Sequence, residues 1–423
     1  MPSVLTELSR GVLHAAELRD RLDVSPPTLM RMVRTAADVV RIGRGRATRY
    51  ALRQQWTNLD GSRFPLFRIT ETGAAESAGE LMTLAAGQSV WMPAGRISDG
   101  LPIEFVDARP SGFLGQHFAA AHGDRLPSRL IDWSDHHVLI AMSRRGEDLA
   151  GNLMIGEESF ARWQALDGLS ATRKDYPALA TATIAGHPPG SSAGGERPKF
   201  GVLVDGRHVL VKFAARGGAT DVVARRWCDL LILEGVALDI VDSRGIAAAR
   251  TNVIEASSHW FLESERFDRV GERGRRGVLS LAAVHDDPAD PWARAARSLR
   301  EAGRLTDDDA RRLRWLDAFG ALIGNTDRHQ NNVLFFTGEG LPRLAPAFDH
   351  ASMLYAPTAD GQVPPRMFTV PTVTSDTLDV WEDARDAARQ FWTRGSEDAR
   401  LSDDVRAICS SNARLLVRNG EPG

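Results

Sequence analysis

Apolar residues near the start of the chain recur at helical spacing and predict three successive helices. The first is predicted from Val4, Leu5, Leu8 and Leu13. The second is predicted over Ala15–Leu22. Ser25 then stands at the capping position of a third helix, whose first turn tolerates the two prolines that follow. This succession of short helices is typical of a helix-turn-helix.

Two alternating runs follow the third helix. They are Val39–Ile42 and residues 47–52, and they flank the turn Gly43-Arg44-Gly45-Arg46. Runs of this kind around a glycine-rich turn predict a two-stranded hairpin. The hairpin would be a wing, so residues 1–56 are predicted to form a winged helix-turn-helix domain.

The remaining pattern predicts three further domains, at 57–175, 176–270 and 271–423. The first of these mixes Gly/Pro-rich turns with short apolar runs and a helix over 134–143. In the second, alternating strands at 199–204 and 208–213 precede a helix over 221–238. Helical patterns dominate the third, at 307–323, 380–392 and 403–417. The expected fold class is α+β.

The composition of the chain indicates in which cellular compartment the protein is expected. The chain has 423 residues, of which 43% are hydrophobic and 25% charged. No apolar run of about 18 residues could span a bilayer, so no membrane partner is expected. The two cysteines, Cys228 and Cys409, are too few for a disulfide framework. The N-terminus does not have the pattern of a signal peptide. A cytoplasmic protein is therefore expected.

Positive charge is concentrated at the N-terminus. Residues 1–55 carry ten arginines against five acids, although the whole chain has a net charge of −3. The third helix would offer Thr28, Arg31 and Arg34 to DNA bases or backbone, and the wing would offer Arg44 and Arg46 to phosphates. The alternative is a solvated basic face used for protein contacts. Because winged modules commonly read symmetric sites, a homodimer is plausible.

Lysine is rare, and its positions point to phosphate binding. Of the 52 basic residues, three are lysines. Two of them, Lys199 and Lys212, follow a glycine-rich loop that contains Gly194 and Gly195. Backbone N–H groups in such loops bind anions, and an ammonium group can reach a phosphate. By itself this combination is more often a simple hairpin.

A second group of polar residues has the spacing of a kinase catalytic loop. Asp327 and Asn332 lie five residues apart, after a predicted buried helix and before the apolar strand 333–336. In kinases, the aspartate takes the hydroxyl proton and the asparagine holds metal. Asp349 follows at the position of a second metal ligand. Taken singly, each residue could simply cap a turn or helix.

These motifs resemble the HipA family of bacterial toxin kinases. The family's catalytic loop is matched by Asn325-Thr326-Asp327-Arg328-His329-Gln330-Asn331-Asn332. Its hinge is matched by Glu265-Arg266-Phe267-Asp268-Arg269, and its glycine-rich loop loosely by residues 191–199. The resemblance covers roughly residues 176–355. It implies a two-lobed, protein-kinase-like body, and the fusion to a DNA-binding module resembles the YjjJ-like branch.

For the nucleotide, the resemblance implies that Lys199 and Lys212 hold the phosphates of ATP. The backbones of Glu265 and Phe267 would bind adenine. In the family, a serine of the glycine-rich loop is autophosphorylated, which silences the kinase. Ser191 or Ser192 is the matching residue.

For the reaction, the resemblance implies that Asp327 is the catalytic base or orients the acceptor hydroxyl. His329 would support the loop, and Asn332 and Asp349 would hold Mg²⁺. The substrate would be a Ser or Thr of a protein, because known targets of the family include aminoacyl-tRNA synthetases. A separate antitoxin, as HipB is for HipA, is a possible partner.

Two other functions remain open from the sequence. The chain could be a non-catalytic, ATP-sensing transcriptional regulator, in which case the wing arginines would matter more than Asp327. It could also be a metal-dependent nuclease built on Asp327, His329 and Asn332, although this leaves the lysines unexplained. The glutamate that would pair with Lys212 is open too, with Glu234 as one candidate.

Overall fold

The computed structural model describes residues 3–121, 123, 125–165, 170–186, 197–218, 220–256 and 258–418. Within these ranges a small N-terminal module is followed by a mixed middle region. A sheet with one long helix comes next, and the C-terminal part is largely helical. The predicted α+β class is therefore confirmed.

The N-terminal module packs three helices on a small antiparallel sheet, in strand order β1-β3-β2. Its elements are α1 (Val4–Leu8), β1 (Leu13–His14), α2 (Ala15–Leu22), α3 (Pro26–Thr35), β2 (Val39–Ile42) and β3 (Arg49–Leu52). Leu8, Leu18, Leu29 and Tyr50 lie in its core. Apolar burial on one face of each element holds the module together.

The structure corrects three local predictions in this module. Leu13 does not continue the first helix; it pairs with Tyr50 in the sheet, since the chain turns at Gly11, where φ is 135°. The second wing strand begins at Arg49 rather than at residue 47, because Gly45–Ala47 form a 3₁₀ turn. Ser25 is the N-cap of α3, but its hydroxyl lies 3.0 Å from the Thr28 hydroxyl instead of capping the backbone.

The middle region is built on an antiparallel sheet in the order β7-β6-β5-β4-β8. Its elements are β4 (Arg63–Ile69), β5 (Ala75–Thr83), β6 (Gln88–Met92), β7 (Arg96–Asp99), α4 (Gly112–Ala121), α5 (Asp135–Arg145), β8 (Leu153–Ile155) and α6 (Glu157–Ala165). The N-terminal module packs against this sheet, with Ile42 and Ala51 in one buried cluster with Met82, Leu84 and Val90. The two regions therefore bury apolar side chains against each other.

The next part carries the glycine-rich segment and both site lysines. Its elements are α7 (Tyr176–Ile184), β9 (Lys199–Val204), β10 (Arg207–Ala215), α8 (Val222–Ser243), β11 (Thr251–Glu255), β12 (His259–Glu265), β13 (Arg269–Val270), β14 (Gly274–Arg275) and β15 (Val278–Ser280). The main sheet has the order β11-β12-β10-β9. Asp221 caps α8 by accepting a hydrogen bond from the Ala224 N–H, and the helix is mostly buried from Cys228 to Val241.

The C-terminal part is mainly helical, as predicted. Its elements are α9 (Leu281–Val284), α10 (Trp292–Glu301), α11 (Asp307–Leu322), β16 (Leu334–Phe336), β17 (Arg343–Leu344), α12 (Trp381–Glu397) and α13 (Asp403–Arg418). Buried side chains of α8, including Ile232, join Phe319, Phe391 and Trp392 in one large core. This core fixes α8 and α11 relative to each other, and both lead to the site described below. None of the helices in the described ranges is long and apolar enough to cross a membrane.

Candidate active site

A cavity of about 400 Å³ lies where β9, β10 and α8 face the loop that follows α11. Five residues predicted from the sequence line it, namely Lys199, Lys212, Asp327, His329 and Asp349. They are distributed over 150 residues of chain, so their meeting is a result of the fold. The cavity is the strongest candidate for an active site because it gathers cations, carboxylates and a histidine in one place.

Lys212 forms the centre of a buried ion cluster. Its Nζ lies 2.7 and 2.9 Å from the two carboxylate oxygens of Glu234 on α8, and 2.5 Å from Oδ1 of Asp349. Burial alone would lower the pKa of Lys212, but Asp349 and Glu234 outweigh burial and raise it. Lys212 is therefore a fixed positive charge, and Glu234 is the partner that the sequence left open.

The two carboxylates respond differently to this cluster. Burial would raise the pKa of Asp349, but Lys212 and Lys199 lower it to about 2. Burial raises the pKa of Glu234, and the attraction of Lys212 does not fully offset it. Asp349 has a φ of 56°, a left-handed conformation that aspartate tolerates better than most residues. Asp349 is thus a charged carboxylate at neutral pH.

Lys199 lies directly opposite Lys212 in the β9–β10 register. It is one of the largest fully buried side chains, with 2% of its surface exposed. Burial, followed by the positive charge of Lys212, lowers the pKa of Lys199 to about 8. Its charge is therefore sensitive to whatever anion enters the cavity.

The loop after α11 presents Asp327 to the cavity and holds its backbone on both sides. The Asp327 N–H donates to Oδ1 of Asn325 at 2.9 Å, and the Asp327 carbonyl accepts from Nδ2 of Asn332 at 2.9 Å. The side chain of Asp327 is about half exposed, and His329 Nε2 lies 3.6 Å from its Oδ1. The loop therefore has a defined shape while its carboxylate remains accessible.

The residues predicted to hold Mg²⁺ supply only some of the ligands that this ion needs. Mg²⁺ is usually held by one or two carboxylates together with substrate phosphates and water. Asp349 supplies a carboxylate, and the amide oxygen of Asn332 lies on the branch not used to bind Asp327. Within the described ranges there is no group of three or more His, Cys, Asp or Glu side chains suited to a metal. Asp349 thus fits a metal that arrives with phosphates, whereas Asn332 does not line the cavity.

Other predicted site residues lie elsewhere. Glu265 ends β12 opposite Val209, and the Phe267 ring packs against Phe336 and Phe348; neither residue lines the cavity. Ser191, Ser192, Gly194 and Gly195 lie outside the described residues. The structure thus brings together the lysines and the catalytic loop, but not the whole predicted nucleotide site.

Sequence reasoning missed the role of the charged side chains in the hinge. Arg266 and Arg269 both donate to Oδ1 of Asp148 in the middle region, at 3.0 and 2.9 Å. Both also bind Asp268. Their buried ion pairs join the middle region to the end of β12, which short-range spacing could not have indicated.

It also missed Asp317, whose carboxylate accepts from Arg328 Nε at 3.0 Å. An aspartate within the otherwise apolar second half of α11 was a signal that could have identified it.

In the N-terminal module, the predicted DNA-contact arginines lie at the surface. Arg31 and Arg34 are exposed on α3, and Arg44 and Arg46 are exposed in the turn between β2 and β3. Thr28 is half-buried beside Ser25. The fold thus leaves these four arginines accessible to a partner.

Comparison with known proteins places the chain in a family. Residues 60–164 match the family described as "YjjJ-like toxin, middle domain", and residues 191–415 match "HipA-like C-terminal domain". Over 436 aligned residues the chain is 34% identical to Toxin YjjJ of Escherichia coli (strain K12). That match covers 96% of this chain and 95% of the relative.

One solved structure supports the fold. A chain in the Shewanella oneidensis MR-1 complex of HipA, HipB and operator DNA is similar with a TM-score of 0.52 and 14% identity, covering 84% of this chain and 96% of that one. The Helicobacter pylori proinflammatory kinase CtkA is similar over 53% of this chain and 88% of its own, with 14% identity and a TM-score of 0.32, too low to carry an argument. The family matches and the 34% identity to Toxin YjjJ show that the chain belongs to the HipA family of toxins and is YjjJ-like within it.

Proposed function

We propose that this chain is an ATP-dependent protein serine/threonine kinase of the HipA type. The observation that carries the proposal is the cavity in which Lys212, paired with Glu234 and Asp349, faces the loop of Asp327. A lysine–glutamate pair, a metal-binding aspartate and a catalytic-loop aspartate are the recurring parts of kinases. A role in arresting growth follows from the toxin family.

Each residue has a distinct task in the proposed reaction. Asp327 orients the acceptor hydroxyl and takes its proton, and Asn325 and Asn332 hold its backbone in place. His329 supports the same loop. Lys199 and Lys212 bind the phosphates. Mg²⁺, held by Asp349 and Asn332, would neutralise charge on the phosphates, which is the main requirement of phosphoryl transfer.

The ion cluster prepares Asp349 for a metal. Lys212 keeps this carboxylate charged, since it lowers its pKa to about 2. If Asp349 held a metal, Glu234 would still neutralise Lys212 through its two contacts. The lysine would therefore not be left as a buried charge without a partner.

The remaining parts of the nucleotide site are also proposals. The backbones of Glu265 and Phe267 would bind adenine, and Ser191 or Ser192 would be autophosphorylated, with the added negative charge repelling ATP. The division into domains 1–56, 57–175, 176–270 and 271–423 is part of the same proposal. The protein is expected to act in the cytoplasm.

The direct test is phosphate transfer. Purified full-length chain is incubated with γ-labelled ATP and Mg²⁺, and residues 188–200 are analysed by mass spectrometry. Transfer to protein, with phosphate on Ser191 or Ser192, is the expected result. ATP binding without transfer would contradict the kinase and favour an ATP-sensing regulator, and metal-dependent DNA cleavage would favour a nuclease.

ATP affinity should depend on the charge of Lys199. Its pKa of about 8 means that the ammonium is charged below pH 8 and becomes neutral above it. Phosphates favour the charged form, so ATP binding should weaken as pH rises through 8, by at most about tenfold per pH unit. Calorimetric titration of wild type and Lys199→Met between pH 7 and 9 measures this. The variant should bind more weakly with a flatter profile, and parallel profiles would rule the assignment out.

We also propose that residues 1–56 bind DNA as a winged helix-turn-helix. The support is the exposed position of Arg31 and Arg34 on α3 and of Arg44 and Arg46 in the turn. The HipA neighbour was solved with HipB and operator DNA. A protein substrate, a separate antitoxin and a homodimer complete the set of proposed partners.

Replacing both wing arginines, Arg44→Ala and Arg46→Ala, should weaken DNA binding and also make the affinity depend less on salt concentration. Each lost phosphate contact should reduce the slope of log affinity against log salt by about 0.9. Fluorescence anisotropy with duplex DNA over a salt series measures the slope. Arg53→Ala is the matched control, because Arg53 pairs with Asp38 at 2.8 Å in the same module. An unchanged slope in the double variant would exclude the wing from the interface.

A further inference from the structure

The carboxylate of Asp317 is buried in α11, ten residues before Asp327 in the chain, with 7% of the residue exposed. Both of its oxygens are used. Oδ1 accepts from Arg328 Nε at 3.0 Å, and Oδ2 accepts from the backbone N–H of Ala293 at 3.1 Å. A buried carboxylate with both oxygens bound is held in a single orientation, so its partners are held too.

Each of the two partners of Asp317 is connected to the catalytic loop, one before Asp327 and the other after it. The Arg328 guanidinium also donates to the carbonyl of Asn325, the residue whose side chain holds the Asp327 N–H. Ala293 follows Trp292 at the start of α10, and the Trp292 indole N–H donates to the carbonyl of His329 at 3.1 Å. One carboxylate therefore braces the loop on both sides of Asp327.

The surface of α11 is shaped to accept the arginine. The side chain of Arg328 lies across Gly320, and a Cβ at that glycine would come within 2.8 Å of Arg328 Cδ. Glycine inside a helix is unfavourable, so its presence in α11 is consistent with a steric requirement. Asp317 and Gly320 lie about one turn apart and together fix where Arg328 runs.

We propose that Asp317 is the positioning residue that sets the orientation of Asp327 through Arg328 and Trp292. It does not line the cavity, so its effect is on the geometry of the loop and not on nucleotide binding. The inference rests on the proposed kinase function, which it deepens. Small displacements of a catalytic group, on the order of 1 Å, can lower rates by about a hundredfold.

The test compares Asp317→Asn with wild type in the full chain. Replacing the charge weakens the Arg328 contact while keeping the side chain's size. We expect kcat for phosphate transfer to fall roughly tenfold to a hundredfold. The KM for ATP should stay unchanged, because Lys199, Lys212 and Asp349 are not touched. A kcat within twofold of wild type, or a loss confined to KM, would overturn the proposal.

Asp379→Asn is the matched control. Asp379 binds Arg314 of α11 through both carboxylate oxygens. Asp379 itself precedes α12, so this pair links α11 to a segment other than the catalytic loop. The control should keep its kcat. If it loses as much activity as Asp317→Asn, the effect is a general loosening of α11. Gly320→Ala is a second variant, which displaces Arg328 without changing charge and should lower kcat in the same direction.

Amide hydrogen exchange over residues 325–332 separates this inference from the kinase proposal. Exchange in that loop should accelerate in Asp317→Asn but not in Asp379→Asn, whether or not the chain transfers phosphate. If exchange is faster in Asp317→Asn but the wild type does not transfer phosphate, the kinase function is refuted and the positioning role of Asp317 stands. If exchange is unchanged, the positioning role of Asp317 is refuted, even if the wild type is an active kinase.

Discussion

Asp327→Asn should lower the rate of phosphate transfer by about 10²–10⁴-fold, the range typical for removal of a general base. Asparagine keeps the size of the side chain and leaves the two backbone hydrogen bonds to Asn325 and Asn332 in place. What is lost is the negative charge that we propose orients the acceptor hydroxyl and takes its proton. Transfer from γ-labelled ATP, measured as an initial rate, gives the effect directly.

ATP binding separates this effect from a damaged nucleotide site. The lysines proposed to bind the phosphates belong to β9 and β10, not to the loop that carries the substituted residue. The dissociation constant for ATP should therefore change little. Asp286→Asn replaces an exposed aspartate of the C-terminal part; it is the control and should behave as wild type. If Asp327→Asn retains more than a tenth of the wild-type rate, Asp327 is not the base.

Lys212→Met should abolish transfer and also destabilise the fold. The substitution leaves Glu234 and Asp349 close together without their shared cation. Breaking a buried pair in this way typically costs about 3–5 kcal/mol. The low end of that range, about 3 kcal/mol, is expected here, because Glu234 already has a raised pKa and can take up a proton. Urea unfolding at pH 7 measures the difference.

The stability difference between wild type and Lys212→Met should depend on pH. In the wild type, the pKa of Asp349 is about 2, below its ordinary value of 3.8. A lowered carboxylate pKa stabilises the fold above pH 4, and this contribution is lost as pH falls towards 2. The variant lacks the contribution, so its difference from wild type should shrink over that interval.

Lys199→Met is the matched control for stability. Burial lowers the pKa of Lys199, which means that its charge opposes folding at neutral pH. Methionine in its place should be neutral or stabilising, although Lys199 lies directly opposite Lys212. If both variants lose the same free energy of unfolding, the ion pairs of Lys212 with Glu234 and Asp349 are not the cause of the loss. The proposed difference between the two lysines would then be wrong.

Segment 265–269 makes contacts that its resemblance to a family hinge does not imply. The sequence 265–269 resembles a family hinge, and the proposed use of its backbone for adenine follows from that resemblance. The structure adds that its arginine side chains bind Asp148, more than a hundred residues earlier. The middle region is thereby joined to the segment that follows β12. No property of residues 265–269 alone identifies that partner.

The sequence by itself determined the features that depend on short stretches of chain. Helix periodicity located α2, α8, α11 and α13 to within a few residues, except that α8 extends further, to Ser243. The spacing of Asp327, Asn332 and Asp349, and the scarcity of lysine, indicated the kinase-like site. Where a turn residue overrode periodicity, as at Gly11 before Leu13, the same local reasoning was wrong.

The tertiary structure alone decided which distant charges meet. Lys212 binds Glu234, 22 residues away, and Asp349, 137 residues away, and Asp317 braces the loop of Asp327. These pairings depend on the β9–β10 register and on how α8 and α11 pack in one core, which local patterns do not specify. A buried charge is tolerated only where such a partner arrives, so long-range packing determines which ionisable residues form the site.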